Sequence, residues 1–228
     1  MPKQIALPLS ASSDSPPRIV VGEANAAAID ALTDPGRWPF HTAILYGPPR
    51  SGKSLLGNWF ADGGGGVVID NAETVDEDVL FHAWNRAQET GQALLLITNR
   101  KRAPQKKGKA KAVAKPKAPA RSRAKKNDGL WHVGLPDLAS RLGAALQLEI
   151  EEPDDEMLAE LIDVHAQMRH LVLDPSASAY LVPRAVRSHL GAERLVAAID
   201  RLSLERKQPP TLAIWREALA EFGKSAQT

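Results

Sequence analysis

Residues 42–60, TAILYGPPRSGKSLLGNWF, decide the fold of this chain. Residues 42–46 are an apolar run that predicts a buried strand, and a helical pattern begins near Ser54. Between them, Gly47 to Ser54 fill the spacing G-x-x-x-x-G-K-[ST]. A loop of this kind between a strand and a helix is typical of a P-loop, whose backbone N–H groups cradle phosphates. The stretch predicts a nucleotide-binding site; the alternative is a Gly-rich turn with a solvated lysine.

The P-loop pattern assigns chemistry to particular side chains. Lys53 is expected to pair with β- and γ-phosphate oxygens, and Ser54 to ligate Mg²⁺. A second apolar strand, residues 67–69, ends at Asp70, where a carboxylate would hold the Mg²⁺ shell. The predicted metal site therefore consists of Ser54 and Asp70.

The residue after this carboxylate is Asn71, where many P-loop ATPases carry a second acid that activates the attacking water. An amide cannot take up that proton. Glu73 could substitute, or it could cap the loop. The sequence therefore predicts weak or no intrinsic ATP hydrolysis, with bound nucleotide acting chiefly as a structural ligand.

A third apolar strand, QALLLITNR, ends in Thr98 and Asn99. These side chains either reach the γ-phosphate, the role called sensor 1, or form a strand-ending turn. The stretch DEDVLFHAWNRAQETG, residues 76–91, has apolar residues at helical spacing, with Gly91 as the C-cap and Trp84 in the core. Strands that alternate with helices predict a parallel α/β sheet with ligand at the carboxyl ends of its strands.

Composition limits the function classes. The chain has 228 residues, 43% of them hydrophobic, and no cysteine, which excludes disulfides and thiolate metal sites. No apolar stretch is long enough to span a membrane, and the N-terminus has no signal-peptide pattern. We expect a cytoplasmic protein with no membrane contact.

The net charge of +2 conceals two opposed parts. Residues 101–126 contain twelve lysines or arginines and no acid, so the rest of the chain has 17 basic against 27 acidic residues. The Lys-rich insertion, residues 101–127, has no apolar periodicity and is predicted to be disordered. It either contacts a nucleic-acid phosphate backbone or is a solvated loop.

Beyond the insertion, the pattern predicts a short helix, a strand and then helices only, with Pro183 ending or kinking one of them. We predict an N-terminal segment, residues 1–18, an α/β domain, residues 19–152, and a helical lid domain, residues 153–228. The expected fold class is thus α/β, a P-loop module with a reduced parallel sheet and a small all-helical lid.

Five pieces of the chain resemble one family: VVGEANAAAIDAL, GPPRSGKS, VVIDNAE, LFHAWNRAQETG and especially LPDLASRL. They resemble the AAA+ module of the replication initiator DnaA, and more closely the Hda/HdaA-type proteins that inactivate it. The resemblance extends from Ile19 to Glu221, except in the insertion. It implies a regulator that binds ADP or ATP with Mg²⁺, binds the polymerase sliding clamp and promotes ATP hydrolysis by DnaA.

The resemblance also implies roles for single residues. Arg141 would be an arginine finger that acts in trans on the nucleotide of DnaA. An N-terminal motif would insert into the clamp, and its residues here are Gln4, Ile5, Leu7, Pro8 and Leu9. The nucleotide would be bound by Val21, Gly22, Gly47, Pro48, Pro49, Arg50, Ser51, Gly52, Lys53, Ser54, Leu55, Asp70, Thr98, Asn99 and Arg194.

The chain departs from this family at three places. Lys53 and Asp70 are so close in sequence that one edge strand of the sheet should be missing. Glu193 stands where the lid arginine called sensor 2 is expected, and Arg194 lies about 100° further round that helix. The insertion falls near the surface where a partner would dock. A stand-alone P-loop ATPase and a DNA-binding module are the alternative functions, and a homodimer is left open.

Overall fold

The structure is a computed structural model that describes residues 18–99, 101 and 130–225. The described residues form one four-stranded parallel sheet with strand order β2-β3-β1-β4. The strands are β1 (Thr42–Tyr46), β2 (Val67–Ile69), β3 (Leu94–Thr98) and β4 (Leu146–Glu149). The predicted parallel α/β sheet is confirmed.

Eight α-helices accompany the sheet in the described part of the chain: α1 (Glu23–Thr33), α2 (Lys53–Asp62), α3 (Glu77–Thr90), α4 (Pro136–Ala144), α5 (Asp155–Met168), α6 (Ser176–Leu181), α7 (His189–Arg206) and α8 (Leu212–Ser225). The predicted C-cap Gly91 has a φ of 70°, a left-handed conformation that glycine adopts without strain. As Pro183 predicted, α6 ends at Leu181 and a 3₁₀ turn follows.

Both faces of the sheet are covered by helices, because neighbouring side chains along a strand point to opposite sides. Ala43 and Leu45 of β1 pack in a core with residues of α1 and α2. Ile44, between them, packs in a second core with residues of α3 and α4. The sheet is therefore buried on both faces, which explains why β1 and β3 have continuous apolar sequences.

The sheet lacks one edge strand, as the short sequence separation of Lys53 and Asp70 predicted. Helix α2 ends at Asp62, and only the Gly-rich residues 63–66 separate it from β2. This connection is too short for another strand and crossover helix. Strand β2 therefore forms one edge of the sheet, with Val67 41% exposed.

Helices α5 to α8 have a hydrophobic core of their own. A smaller cluster joins this helical part to the start of the α/β part, where Met157 of α5 packs with Val20 and Ala24. We call α5–α8 the lid. None of the helices among the described residues is long and apolar enough to cross a membrane.

Two predicted features fall outside the described residues. The segment Gln4–Leu9 precedes Arg18, where the description begins, and nearly all of the Lys-rich insertion lies between Lys101 and Leu130. The domain boundaries themselves stay predictions.

Candidate functional site

The loop between β1 and α2 is shaped by its glycines. A Cβ atom at Gly47 would lie 2.8 Å from the carbonyl oxygen of Ile150, closer than any real side chain tolerates. Gly52 has a φ of 80°, and Arg50, before it, has a φ of 65°. Left-handed conformations at these positions turn the chain tightly into α2. The loop thus has the strand-loop-helix context that the motif predicted.

Lys53 is held inside this loop and is only 5% exposed. Its Nζ donates hydrogen bonds to the carbonyl oxygens of Gly47 at 3.1 Å and Pro48 at 2.7 Å, and to Oγ of Ser51 at 3.2 Å. Burial lowers the pKa of Lys53. The ammonium group is therefore positioned by the loop itself, at the N-terminus of α2, where an anion is favoured.

Ser54 and Asp70 come together as predicted. The hydroxyl of Ser54 donates to Oδ2 of Asp70 at 2.6 Å, and both residues are exposed. A hydroxyl and a carboxylate beside a phosphate site are the oxygen ligands that Mg²⁺ prefers in nucleotide sites. The residues present fit Mg²⁺ bound together with a nucleotide.

The loop after β2 contacts the end of β3. Glu73 accepts a hydrogen bond through Oε1 from the backbone N–H of Asn99 at 3.1 Å, and Asn99 Nδ2 donates to Oδ1 of Asn71 at 3.4 Å. Oε2 of Glu73 is buried and has no hydrogen-bond partner among the described residues. Thr98 is fully buried at the end of β3. Oε1 of Glu73 therefore caps the end of β3, while Oε2 makes no hydrogen bond to a described residue.

The remaining P-loop residues lie around Lys53. Ser51 is 5% exposed, Pro48 and Leu55 are half-buried, and Pro49 is exposed. These positions agree with a loop whose backbone faces a ligand.

Gly22 lies against the lid, whereas Val21 packs on the core that β1 shares with α1 and α2. A Cβ atom at Gly22 would be 3.0 Å from Cβ of Met157 in α5. Asn25 fixes this segment, because its side chain accepts from the N–H of Gly22 at 3.0 Å and donates to the carbonyl of Val20 at 2.8 Å. Sequence reasoning missed Asn25, whose only signal was a polar residue on an otherwise apolar helix face.

The lid reaches the P-loop through Glu193 rather than through an arginine. Arg50 Nε donates to Oε2 of Glu193 at 2.6 Å, and Nη2 of Arg50 donates to Oε1. This pairing holds the pKa of Glu193 below its usual range. Arg194 is exposed, and the structure does not bring it to these residues. Its nucleotide contact stays a prediction that this placement does not favour.

Arg141 belongs to α4, which covers the face of the sheet opposite α1 and α2. Its guanidinium carbon is 4.4 Å from the ring centroids of both Phe81 and Trp84, and it donates to Oδ1 of Asn85. All three partners belong to α3. Arg141 is therefore held on α3 and is not grouped with the P-loop residues; an action in trans stays a prediction.

Comparison with known proteins shows the fold. No protein-family profile matches the chain. Among solved structures, domain III of Thermotoga maritima DnaA superposes with a TM-score of 0.63 at 13% identity, over 89% of this chain and 93% of that one.

Two further structures have the same architecture. The Thermotoga maritima RuvB branch-migration motor gives a TM-score of 0.54 at 17% identity, over 87% of this chain and 69% of its own. The FIGL-1 AAA domain in complex with ADP gives a TM-score of 0.56 at 12% identity, over 86% of this chain and 80% of that domain. These likenesses and the P-loop geometry show that the chain has the AAA+ P-loop fold.

Proposed function

We propose that this chain is a nucleotide-binding regulator that inactivates the replication initiator DnaA. It binds ADP or ATP with Mg²⁺, binds the sliding clamp through residues 4–9 and promotes ATP hydrolysis by DnaA through Arg141. The observation that carries the nucleotide part is the formed P-loop, with Lys53 held inside it and Ser54 paired with Asp70. The fold shared with DnaA domain III supports the relation to the initiator.

The site favours binding over turnover. Asn71 lies beside Asp70 and hydrogen-bonds to Asn99, but an amide cannot accept a proton from water. Lid closure also differs from that expected, because Glu193 brings a negative charge to Arg50. Bound nucleotide therefore acts chiefly as a structural ligand.

The clamp contact is supported by the sequence of residues 4–9. An extended peptide with a proline-restricted backbone can fill an apolar pocket with its leucines, while Gln4 hydrogen-bonds at the rim. The test is binding of the full chain to clamp immobilised on a sensor surface. The double variant Gln4→Ala, Leu7→Ala should bind at least about tenfold more weakly than the wild type.

A double variant Ser12→Ala, Ser13→Ala, a few residues further on, is the matched control and should bind like the wild type. Equal binding of the Gln4 and Leu7 variant and the wild type would overturn the clamp assignment.

One observation favours a second function, a stand-alone ATPase. Oε2 of Glu73, beside the end of β3, has no hydrogen-bond partner within the described part of the chain, so no group there engages this carboxylate oxygen. Phosphate release by the isolated protein distinguishes the two functions. Steady turnover that Glu73→Gln abolishes would replace the regulatory proposal with an enzymatic one.

A further inference from the structure

His189, the first residue of α7, is a buried polar side chain whose role the assigned site does not include. The residue is 3% exposed, and its Nε2 atom has no hydrogen-bond partner among the described residues. A buried polar atom without a partner is costly and is rare in folded proteins. Such an atom therefore needs an explanation, and a bound ligand that accepts its hydrogen bond is one.

His189 lies on the face of α7 that meets the P-loop. Glu193 lies four residues later, so the two side chains share one face of α7, one turn apart. Glu193 contacts Arg50 of the P-loop, which docks this face of the helix on the loop. Lys53 is close enough that its charge acts on the imidazole.

We propose that His189 is a phosphate-binding residue of the lid, whose Nε2–H donates to a phosphate oxygen of the nucleotide that Lys53 holds. It supplies from the first turn of α7 the lid contact that the sequence assigned to Arg194. This inference rests on the proposed nucleotide binding. The adenine and ribose of the nucleotide take no part in this contact with His189.

The charged groups around His189 make its contact with phosphate depend on pH. Burial, then the charges of Lys53 and His165, lower the pKa of His189 to about 4, so the imidazole is neutral near pH 7. Arg50 and Glu193 also lie at this face and largely neutralise each other. An anion brought to Nε2 stabilises the imidazolium and raises its pKa. Phosphate binding therefore takes up a proton as the pH falls toward the raised value.

The experiment measures the Kd of the full chain for Mg-ADP and for adenosine by calorimetry at pH 8.0 and 6.0. His189→Leu removes the donor and puts an apolar side chain in its place. We expect the variant to bind Mg-ADP about tenfold more weakly, since a hydrogen bond to a charged group is lost. Adenosine binding should not change. The ratio of variant to wild-type Kd should grow from pH 8.0 to pH 6.0.

His82→Leu, an exposed histidine on α3, is the control for removing a histidine, and it should bind like the wild type. Thermal unfolding without ligand checks the fold. The His189→Leu variant should unfold at the wild-type temperature or above it, because it removes a buried polar atom to which no described residue hydrogen-bonds.

The outcomes separate the two proposals. Mg-ADP binding that His189→Leu leaves unchanged at both pH values would overturn the role of His189 alone. Equal losses of Mg-ADP and adenosine affinity would also overturn it, because they indicate a structural effect. A wild type that binds no Mg-ADP would overturn nucleotide binding and this inference together.

Discussion

Arg50 in the P-loop and Glu193 in lid helix α7 are joined by two hydrogen bonds between guanidinium and carboxylate. The pair lies 143 residues apart in sequence and links the two parts of the molecule directly. A lid that carried an arginine at this position would instead present a positive charge to the phosphates. Here the lid carries the negative charge and the P-loop carries the positive one. The attraction between Glu193 and Arg50 therefore holds the lid against the P-loop.

A double-mutant cycle on Arg50→Ala and Glu193→Ala should give a coupling of about 0.5 kcal/mol, since Arg50 is largely exposed and solvent screens the pair. The pKa of Glu193 is lowered in the folded protein, so this stability is present above the unfolded-state pKa. It is lost as the pH falls through the lowered value. Urea unfolding of the four proteins at pH 7 and pH 3 measures both effects. Additive single effects at pH 7 would show that the contact contributes nothing.

Lys53→Ala should weaken Mg-ADP binding by one to two orders of magnitude, because the variant removes the buried ammonium that the loop positions for the phosphates. Calorimetric titration provides the measurement. Arg37→Ala, which removes an exposed cation from the same α/β part, is the control and should bind normally. A Lys53→Ala variant that binds as tightly as the Arg37 variant would exclude the P-loop as the phosphate site.

Asn71→Asp should increase phosphate release by the isolated protein about tenfold or more, because a carboxylate at this position can accept the proton of the attacking water. Aspartate tolerates the left-handed backbone at this residue, where φ is 50°, and can still accept from Asn99. A coupled phosphate-release assay measures the rate. The prediction fails if the variant binds Mg-ATP normally and hydrolyses it no faster.

Arg141→Ala should abolish the stimulation of ATP hydrolysis by DnaA in the presence of clamp loaded on DNA, since the guanidinium would act on the transferring phosphoryl group. It should also lower the free energy of unfolding by about 1–2 kcal/mol, because contacts with the rings of Phe81 and Trp84 are lost. The Arg141→Lys variant separates the loss of stimulation from the loss of stability.

Lysine keeps a cation over the rings but cannot make a bidentate contact, so the Arg141→Lys variant should be nearly as stable as the wild type and still inactive. Full stimulation by either variant would show that Arg141 is a structural residue of the α3–α4 contact only.

Replacing residues 102–129 with a short Gly-Ser linker should leave the fold intact, because the ends of the insertion are adjacent. The N–H of Trp131 donates to the carbonyl of Lys101 at 3.0 Å, and Nζ of Lys101 lies 3.3 Å from Oε2 of Glu149. The melting temperature should change by no more than about 2 °C. Duplex DNA affinity, measured by anisotropy at 50 and 200 mM salt, tests the insertion itself.

If the insertion contacts phosphates, the full chain should bind DNA with a steep salt dependence, and the shortened chain should not bind. Equal DNA affinity of the two chains would place any DNA contact outside the insertion.

The sequence alone determined the features that depend on neighbouring residues. The P-loop, the strand before it and the helix after it follow from local pattern, because glycine positions and apolar runs fix backbone conformation over a few residues. The missing edge strand followed in the same way, since the 17 positions from Lys53 to Asp70 are filled by α2 and β2 and leave no room for another strand with its crossover helix. The pairing of Ser54 with Asp70 was predictable because Asp70 directly follows β2 and Ser54 lies in the first turn of α2, after the loop that follows β1. Both residues therefore lie at the carboxyl edge of the sheet.

Only the tertiary structure decided how the lid meets this loop. Which of Glu193 and Arg194 faces the P-loop depends on how α7 rotates as its apolar stripe packs on α5. The burial of His189, and the lack of a hydrogen-bond partner for its Nε2 among the residues that the structure describes, depend on the same docking. No local pattern encodes these contacts, because they join residues more than one hundred positions apart through the packing of two separate hydrophobic cores.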